Sequence, residues 1–193
     1  MIKIETEIVT FSLVVLVLMM GIFFFSDNSI QNLSFSGEKF FNGELWRIVT
    51  FNFVHLNLPH LIGNVIAFII MTMLSLEVGL KSEYFILLFF TSSFVIAFVE
   101  GIFFPTLIIA GASLGIYSIL GGVSFIGRRL IPIYFFIPLI ILSIFLNKAF
   151  SDSVTLFESL FHFFGFVLGF TLYYSIVKYI NRQKLYLEVT TNG

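Results

Sequence analysis

Four polar side chains stand where this sequence could do chemistry: Ser113, His162, His60 and Asn64. A serine hydroxyl beside an imidazole makes a nucleophile and its general base, the ring taking the hydroxyl proton and later giving it to a leaving amine. His60 and Asn64, spaced i and i+4, share one face of a helix, and both can donate to a tetrahedral oxyanion. Each residue also has a plainer reading. Ser113 alone fits a helix-packing role, its hydroxyl bonded back to the preceding turn. His162 fits an interhelical hydrogen-bond donor, His60 an interfacial residue at a helix start, and Asn64 polar glue between helices. What favours a shared site is the depth at which their elements carry them.

Those elements are membrane spans. The 193 residues are 59% hydrophobic and 11% charged, with a mean hydropathy of +1.06, against roughly 25% charged residues in an ordinary soluble domain. Apolar stretches fall at about 8–25, 58–79, 84–104, 107–126, 131–147 and 156–180, close to the length that crosses a bilayer. They predict an all-α membrane protein, a six-transmembrane-helix bundle forming one integral-membrane domain over 1–193. The fifth stretch is the shortest and carries Pro132 and Pro138, which makes it a candidate gate. A signal peptide over 8–25 fits poorly, because Lys3 is followed by Glu5 and Glu7 and no small-residue cleavage site precedes Asp27. Residues 26–57 form a long first loop, with Phe35, Phe40, Phe41, Leu45, Trp46, Phe51 and Phe53 among polar residues, as suits an interfacial segment. Residues 181–193 are expected to be a fraying polar tail.

Orientation follows from the basic residues. Lys3, Lys81, Arg128, Arg129, Lys178, Arg182 and Lys184 fall on one side of the six spans; Lys39, Arg47 and Lys148 fall on the other. The richer side is cytoplasmic and holds both termini, in a multi-pass protein expected in a prokaryotic cell membrane. A net charge of −1 without a long basic run argues against a nucleic-acid partner. The absence of cysteine excludes disulfides and thiolate chemistry. The three histidines lack HExxH spacing, so neither metal nor cofactor is expected.

With this topology, the second, fourth and sixth spans all enter from the outer side. His60 and Asn64 lie at the start of the second, Ser113 about seven residues into the fourth, and His162 about six into the sixth, roughly 5–12 Å below the outer surface. Polar groups converging at one depth in a bilayer imply a functional pocket. Gly111 with Gly115, and Gly165 with Gly169, are small-xxx-small pairs expected to bring the fourth and sixth spans together.

The motifs around these residues resemble those of the rhomboid intramembrane serine proteases. Glu44-Leu45-Trp46-Arg47 is similar to the family's Trp-Arg loop motif, and His55 through His60 to Asn64 is similar to its H-x4-H-x3-N segment. Gly111-Ala112-Ser113 with Tyr117 resembles the nucleophile segment, and His162-x2-Gly165-x3-Gly169 the segment of the general base. The resemblance implies Ser113 as nucleophile and His162 as base in a dyad, with His60, Asn64 and the Ser113 backbone N–H as oxyanion hole. It implies that Tyr117 orients the His162 ring, that Trp46, Arg47, Glu44 and Glu77 are structural, and that His55 orders its loop. Position 114 departs from the pattern, since the family usually carries glycine where this chain has Leu114. Facing the sixth span, Leu114 would push the helices apart and stretch the Ser113 to His162 contact. If Gly115 supplies the contact instead, nothing is lost.

The implied function is endoproteolysis of transmembrane segments near their outer boundary, with membrane proteins and the lipid bilayer as partners; the sequence sets no oligomeric state. The alternative is a catalytically inactive, derlin-like relative that binds membrane helices. A transporter would need polar residues through both leaflets, and the inner halves of the spans offer little beyond Thr72, Ser75 and Glu77.

Overall fold

Apolar side chains at helical spacing decide which face each span buries. The computed structural model describes residues 2–128 and 156–191; the predicted fifth span, 131–147, lies outside the described residues. The first helix, α1 (Ile2–Phe25), buries Ile8, Ser12, Val15 and Met19 along one stripe and exposes Leu13, Val14 and Val17 on the other. It packs on α5 (Leu58–Glu77) and α6 (Ser82–Phe103), with a buried bond between the Ser12 and Thr72 hydroxyls at 2.9 Å. Phe11 fits edge-on against Phe85, Phe89 and Phe90, each at 5.9 Å.

Local chemistry sets the ends of α5. The Asn57 side chain accepts from the His60 N–H at 2.9 Å and Pro59 occupies the first turn, where a missing N–H costs nothing. At the other end Gly79 takes φ +69°, and the Leu80 N–H reaches back to the Ser75 carbonyl at 2.9 Å. Among the described residues, α7 (Ser113–Gly127) is the most enclosed helix, apolar and buried nearly all round between α5, α6 and α8 (Leu156–Thr191). Four of these helices are long and apolar enough to cross a membrane, and α7 is a shorter apolar helix among them. The chain is an all-α integral membrane bundle. The polar tail expected from residue 181 is helical over its described length: α8 runs on to Thr191. Neither proline nor glycine occurs between Asn181 and Thr191, and polar residues alone do not end a helix.

The long first loop is folded rather than slack. It contains α2 (Ser29–Leu33), α3 (Gly37–Phe41), α4 (Arg47–Thr50) and a 3₁₀ turn, Phe51–Phe53. The last carbonyls of α2, orphaned as at any helix end, are taken up in series by later side chains. Lys39 and Arg47 donate to Gln31 O at 2.9 Å each, Trp46 Nε1 to Asn32 O at 3.3 Å, Thr50 to Leu33 O at 2.7 Å, and Arg47 again to Ser34 O at 2.6 Å. Glu44 completes the arrangement by accepting from Arg47 Nε at 2.8 Å. Phe41, Leu45, Trp46 and Val49 face outward, a surface suited to the membrane interface. Because Arg47 is buried and serves several acceptors, Arg47→Ala is expected to cost about 2 kcal/mol or more. Thermal unfolding in detergent checks this, and Arg47→Lys, which lacks the planar fork, should recover only part of the loss.

The loop docks onto the C-terminal end of α6 and the segment that follows. Phe35 and Ile109 exchange backbone bonds at 2.9 and 2.8 Å, Glu38 N–H donates to Pro105 O at 2.9 Å, and Gly37 lies directly against Gly101.

Candidate active site

Backbone conformation places Ser113. The fourth span was expected to be helical from 107, but α7 starts at Ser113 itself. Residues 104–112 are held out of the helix by the bridge between Phe35 and Ile109, and Gly111 adopts φ +111°, a region closed to ordinary side chains. Gly111 is fixed there by its N–H bond to Phe51 O at 2.9 Å. Ser113 is therefore the first residue of a helix. Its N–H belongs to the first-turn donors that no intrahelical carbonyl uses, at the positive end of the helix dipole.

The His162 ring comes from α8, 49 residues later in the chain, with Nε2 2.8 Å from Ser113 Oγ. Tyr117, one turn beyond Ser113, stacks on that ring at 4.8 Å with 18° between the planes. Both members of the Ser113–His162 pair are half-buried, within reach of a substrate entering from one side.

Glycines set the distance between α7 and α8, though not all those expected. A Cβ on Gly165 would lie 3.0 Å from Leu114 O and 3.4 Å from Tyr117 Cβ, and one on Gly169 would collide with the Ser118 carbonyl. Gly121, on α7, meets the α8 backbone at Phe166 and Phe170. Gly111 and Gly115 do not join this contact. Gly115 faces Phe89 of α6, where a Cβ would come within 2.6 Å, and Gly111 faces the His60 ring at 2.8 Å. Gly121 was the glycine missed; the sequence holds it at i+4 from Tyr117, with no sign of which neighbour it meets.

Gly115 does not supply the contact with α8, and Leu114 does not stretch the Ser113–His162 contact. The Leu114 side chain is 4% exposed in a cluster with Phe35, Phe51, Ile96 and Ala97, while its carbonyl faces Gly165. The cluster lies under the first loop and against Phe161 and Leu168 of α8, and the Ser113–His162 contact stays at hydrogen-bond length. Leu114→Gly is expected to destabilise the fold by roughly 3–5 kcal/mol through a cavity and poorer helix propensity. Chemical denaturation of both chains measures it.

On α5, His60 and Asn64 lie against Gly111; a Cβ there would be 2.8 Å from the His60 ring and 3.6 Å from Asn64 Nδ2. Asn64 is buried and donates to His60 O at 3.0 Å, leaving its second amide hydrogen and the His60 ring free of bonds to Ser113 or His162. The structure thus brings both to the segment just before Ser113. Trp46, Arg47 and Glu44 lie in the first loop and support it. Glu77, expected to be a structural polar residue, is exposed at the last position of α5, and no hydrogen bond or ion pair joins it to the described residues. At the end of the helix its carboxylate is hydrated and needs no protein partner.

His55 lies just ahead of α5, fully enclosed, its ring edge-on to His60 at 5.1 Å. Burial, with the neighbouring His60 ring adding to it, pushes the imidazole down from 6.5 to about 3. The folded chain therefore resists a proton that the unfolded chain binds. Stability is full above the unfolded value and declines as pH falls from 6.5 towards about 3, by up to about 1.4 kcal/mol per pH unit. His55→Phe is expected to flatten part of that slope in denaturation series between about pH 7 and pH 5. An unchanged slope would assign the acid sensitivity elsewhere.

Among the described residues no three His, Asp or Glu side chains converge to hold a metal ion. What converges is a hydroxyl, an imidazole, a stacking phenol and helix-end N–H groups. That set can carry out acyl transfer: the hydroxyl attacks, the imidazole moves the proton, and the N–H groups receive the oxyanion. No curated protein matches the chain. The sequence model of the family described as Rhomboid domain matches residues 42–179, which take in every candidate residue from Glu44 to Gly169.

Proposed function

The chain belongs to the rhomboid family, and from that membership we propose that it is an active serine endopeptidase cutting transmembrane segments of other membrane proteins near their outer boundary. The observation that carries this reading is the 2.8 Å contact between Ser113 Oγ and His162 Nε2 at the start of α7. Ser113 Oγ attacks the scissile carbonyl as its proton passes to His162 Nε2. The oxyanion forms beside the free N–H of Ser113, with His60 and Asn64 as side-chain donors across Gly111. Collapse sends the proton from His162 to the leaving amine and leaves an acyl ester on Ser113, which water, activated by the same ring, hydrolyses.

A substrate helix hides its carbonyls in i to i−4 bonds, so the segment must unwind before attack. Substrates accordingly carry glycine or other helix-weakening residues near the cut. The basic residues orient the chain with its termini cytoplasmic and the dyad outward. The inactive-relative reading drew on Leu114 as a wedge; against it stands the 2.8 Å contact between Ser113 Oγ and His162 Nε2, kept with Leu114 buried.

A fluorophosphonate probe tests the proposal. In purified, folded chain it should attach covalently at Ser113, located by peptide mass. Folded chain that stays unlabelled would favour the helix-binding relative.

A further inference from the structure

At the end of the bundle away from Ser113, α6, α7 and α8 meet through aromatic rings. Tyr84 of α6 stands edge-on to Tyr173 of α8 at 5.8 Å. Phe125 of α7 packs on Tyr173 at 5.7 Å and on Tyr174 at 5.8 Å. Each helix adds a cation over a ring of this cluster. Lys81 Nζ is 6.0 Å from the Tyr84 centroid, Arg128 Cζ 3.5 Å from Phe125, and Lys178 Nζ 5.7 Å from Tyr174. The three charged residues are exposed, Phe125 is buried, and none of the three cations forms an ion pair with a described residue. Glu83 is exposed, and Glu7, which accepts from Ser82 Oγ at 2.6 Å one residue from Lys81, forms no ion pair with it.

We propose that this cluster binds the phosphate-bearing headgroup of an anionic phospholipid in the leaflet opposite the dyad. Position supports a lipid: α7 is 15 residues long, which puts the cluster roughly 20 Å along the helix axis from Ser113, at the far ends of α6 and α7 and beside α8, which runs on past it. Lys81 immediately precedes the first turn of α6, whose positive dipole end adds to the attraction for an anion. Resting each cation on a ring orients it before the ligand arrives, so less side-chain freedom is lost on binding. The half-exposed rings of Tyr174 and Tyr179, with Leu87 on α6, give the glycerol and upper acyl chains an apolar surface beside the charges. A free anion would use only the cations; a phospholipid uses both.

Native mass spectrometry of the full chain, with phosphatidylglycerol or phosphatidylcholine added to delipidated protein, reads the site directly. Wild type should retain phosphatidylglycerol preferentially. Arg128→Gln/Lys178→Gln should lower that retention by about tenfold or more, since each basic residue near the headgroups contributes several-fold. Arg182→Gln/Lys184→Gln, an equal change in charge further along α8, should leave most of it, and Arg128→Lys/Lys178→Arg should restore it. Equal loss in both glutamine pairs would assign the binding to diffuse charge and overturn the site, as would wild type without a headgroup preference. Displacement of the lipid by excess inorganic phosphate, beyond that by chloride at equal ionic strength, would make it a free-anion site instead. If the glutamine pair fails to fold, Lys81→Gln alone carries the same test, with a several-fold loss expected.

Discussion

Ser113→Ala and His162→Ala are each expected to lower peptide hydrolysis by at least about 10⁴-fold, with the double variant no worse than the less active single one. A nucleophile and its base act as one unit, so removing either removes the covalent route entirely. At 2.8 Å, His162 Nε2 is placed to take the proton as the Ser113 oxygen attacks, and no other described imidazole is bonded to that hydroxyl. What survives should be the contribution of the N–H groups and His60 with Asn64 to binding and oxyanion stabilisation. The measurement is initial cleavage rate of a reporter with a glycine-weakened membrane segment, in proteoliposomes, beside melting temperatures that should hardly move. Full activity in either single variant would sink the proposed mechanism. Additive losses in the double variant would mean that the two residues act independently.

Gly169→Ala should be the most damaging single methyl at the contact between α7 and α8. Its Cβ would run into the Ser118 carbonyl, with Ser118 Cα also only 2.7 Å away, so the obstruction is backbone rather than a side chain that can turn aside. The helices α7 and α8 must then separate, and overpacking of this kind costs about 1–3 kcal/mol or more. A shift of about 1 Å between Ser113 and His162 would itself slow chemistry by roughly 10². Gly165→Ala meets its neighbours at 3.0 and 3.4 Å and should lose less, while Gly63, with nothing within 4 Å, should accept alanine with no loss or a small gain. Melting temperature and cleavage rate, measured across the three, should fall in that order. If Gly169→Ala behaves like Gly63→Ala, glycine contacts do not hold the two helices in place.

The spans were legible because hydropathy and helical spacing are local, and so was the set of polar residues that a bilayer penalises. The start of α7 was not. Residues 107–112 are as apolar as the helix after them, and what keeps them extended is a backbone bridge to Phe35, some 74 residues away in sequence. Glycine partners were hidden for a related reason. Spacing shows that Gly111, Gly115, Gly165 and Gly169 are small, but which helix each one faces depends on the rotation of its neighbours. The first loop read as an interfacial stretch; that Arg47, Trp46, Thr50 and Lys39 would close the end of α2 in order could not be read from composition. For Glu77 the resemblance implied a structural role, and the carboxylate is exposed at the end of its helix with no hydrogen bond among the described residues.

The 49-residue separation between Ser113 and His162 bears on biosynthesis. The nucleophile is translated first, and its base only after the whole intervening stretch, several seconds later at a ribosomal pace of about 5–20 residues per second. Until α8 inserts and its glycines seat against α7, the emerging polypeptide holds a serine with ordinary reactivity. The proposed protease is thus born latent: completion of α8 arms it, so a product truncated or stalled before that helix harms none of its neighbours in the membrane.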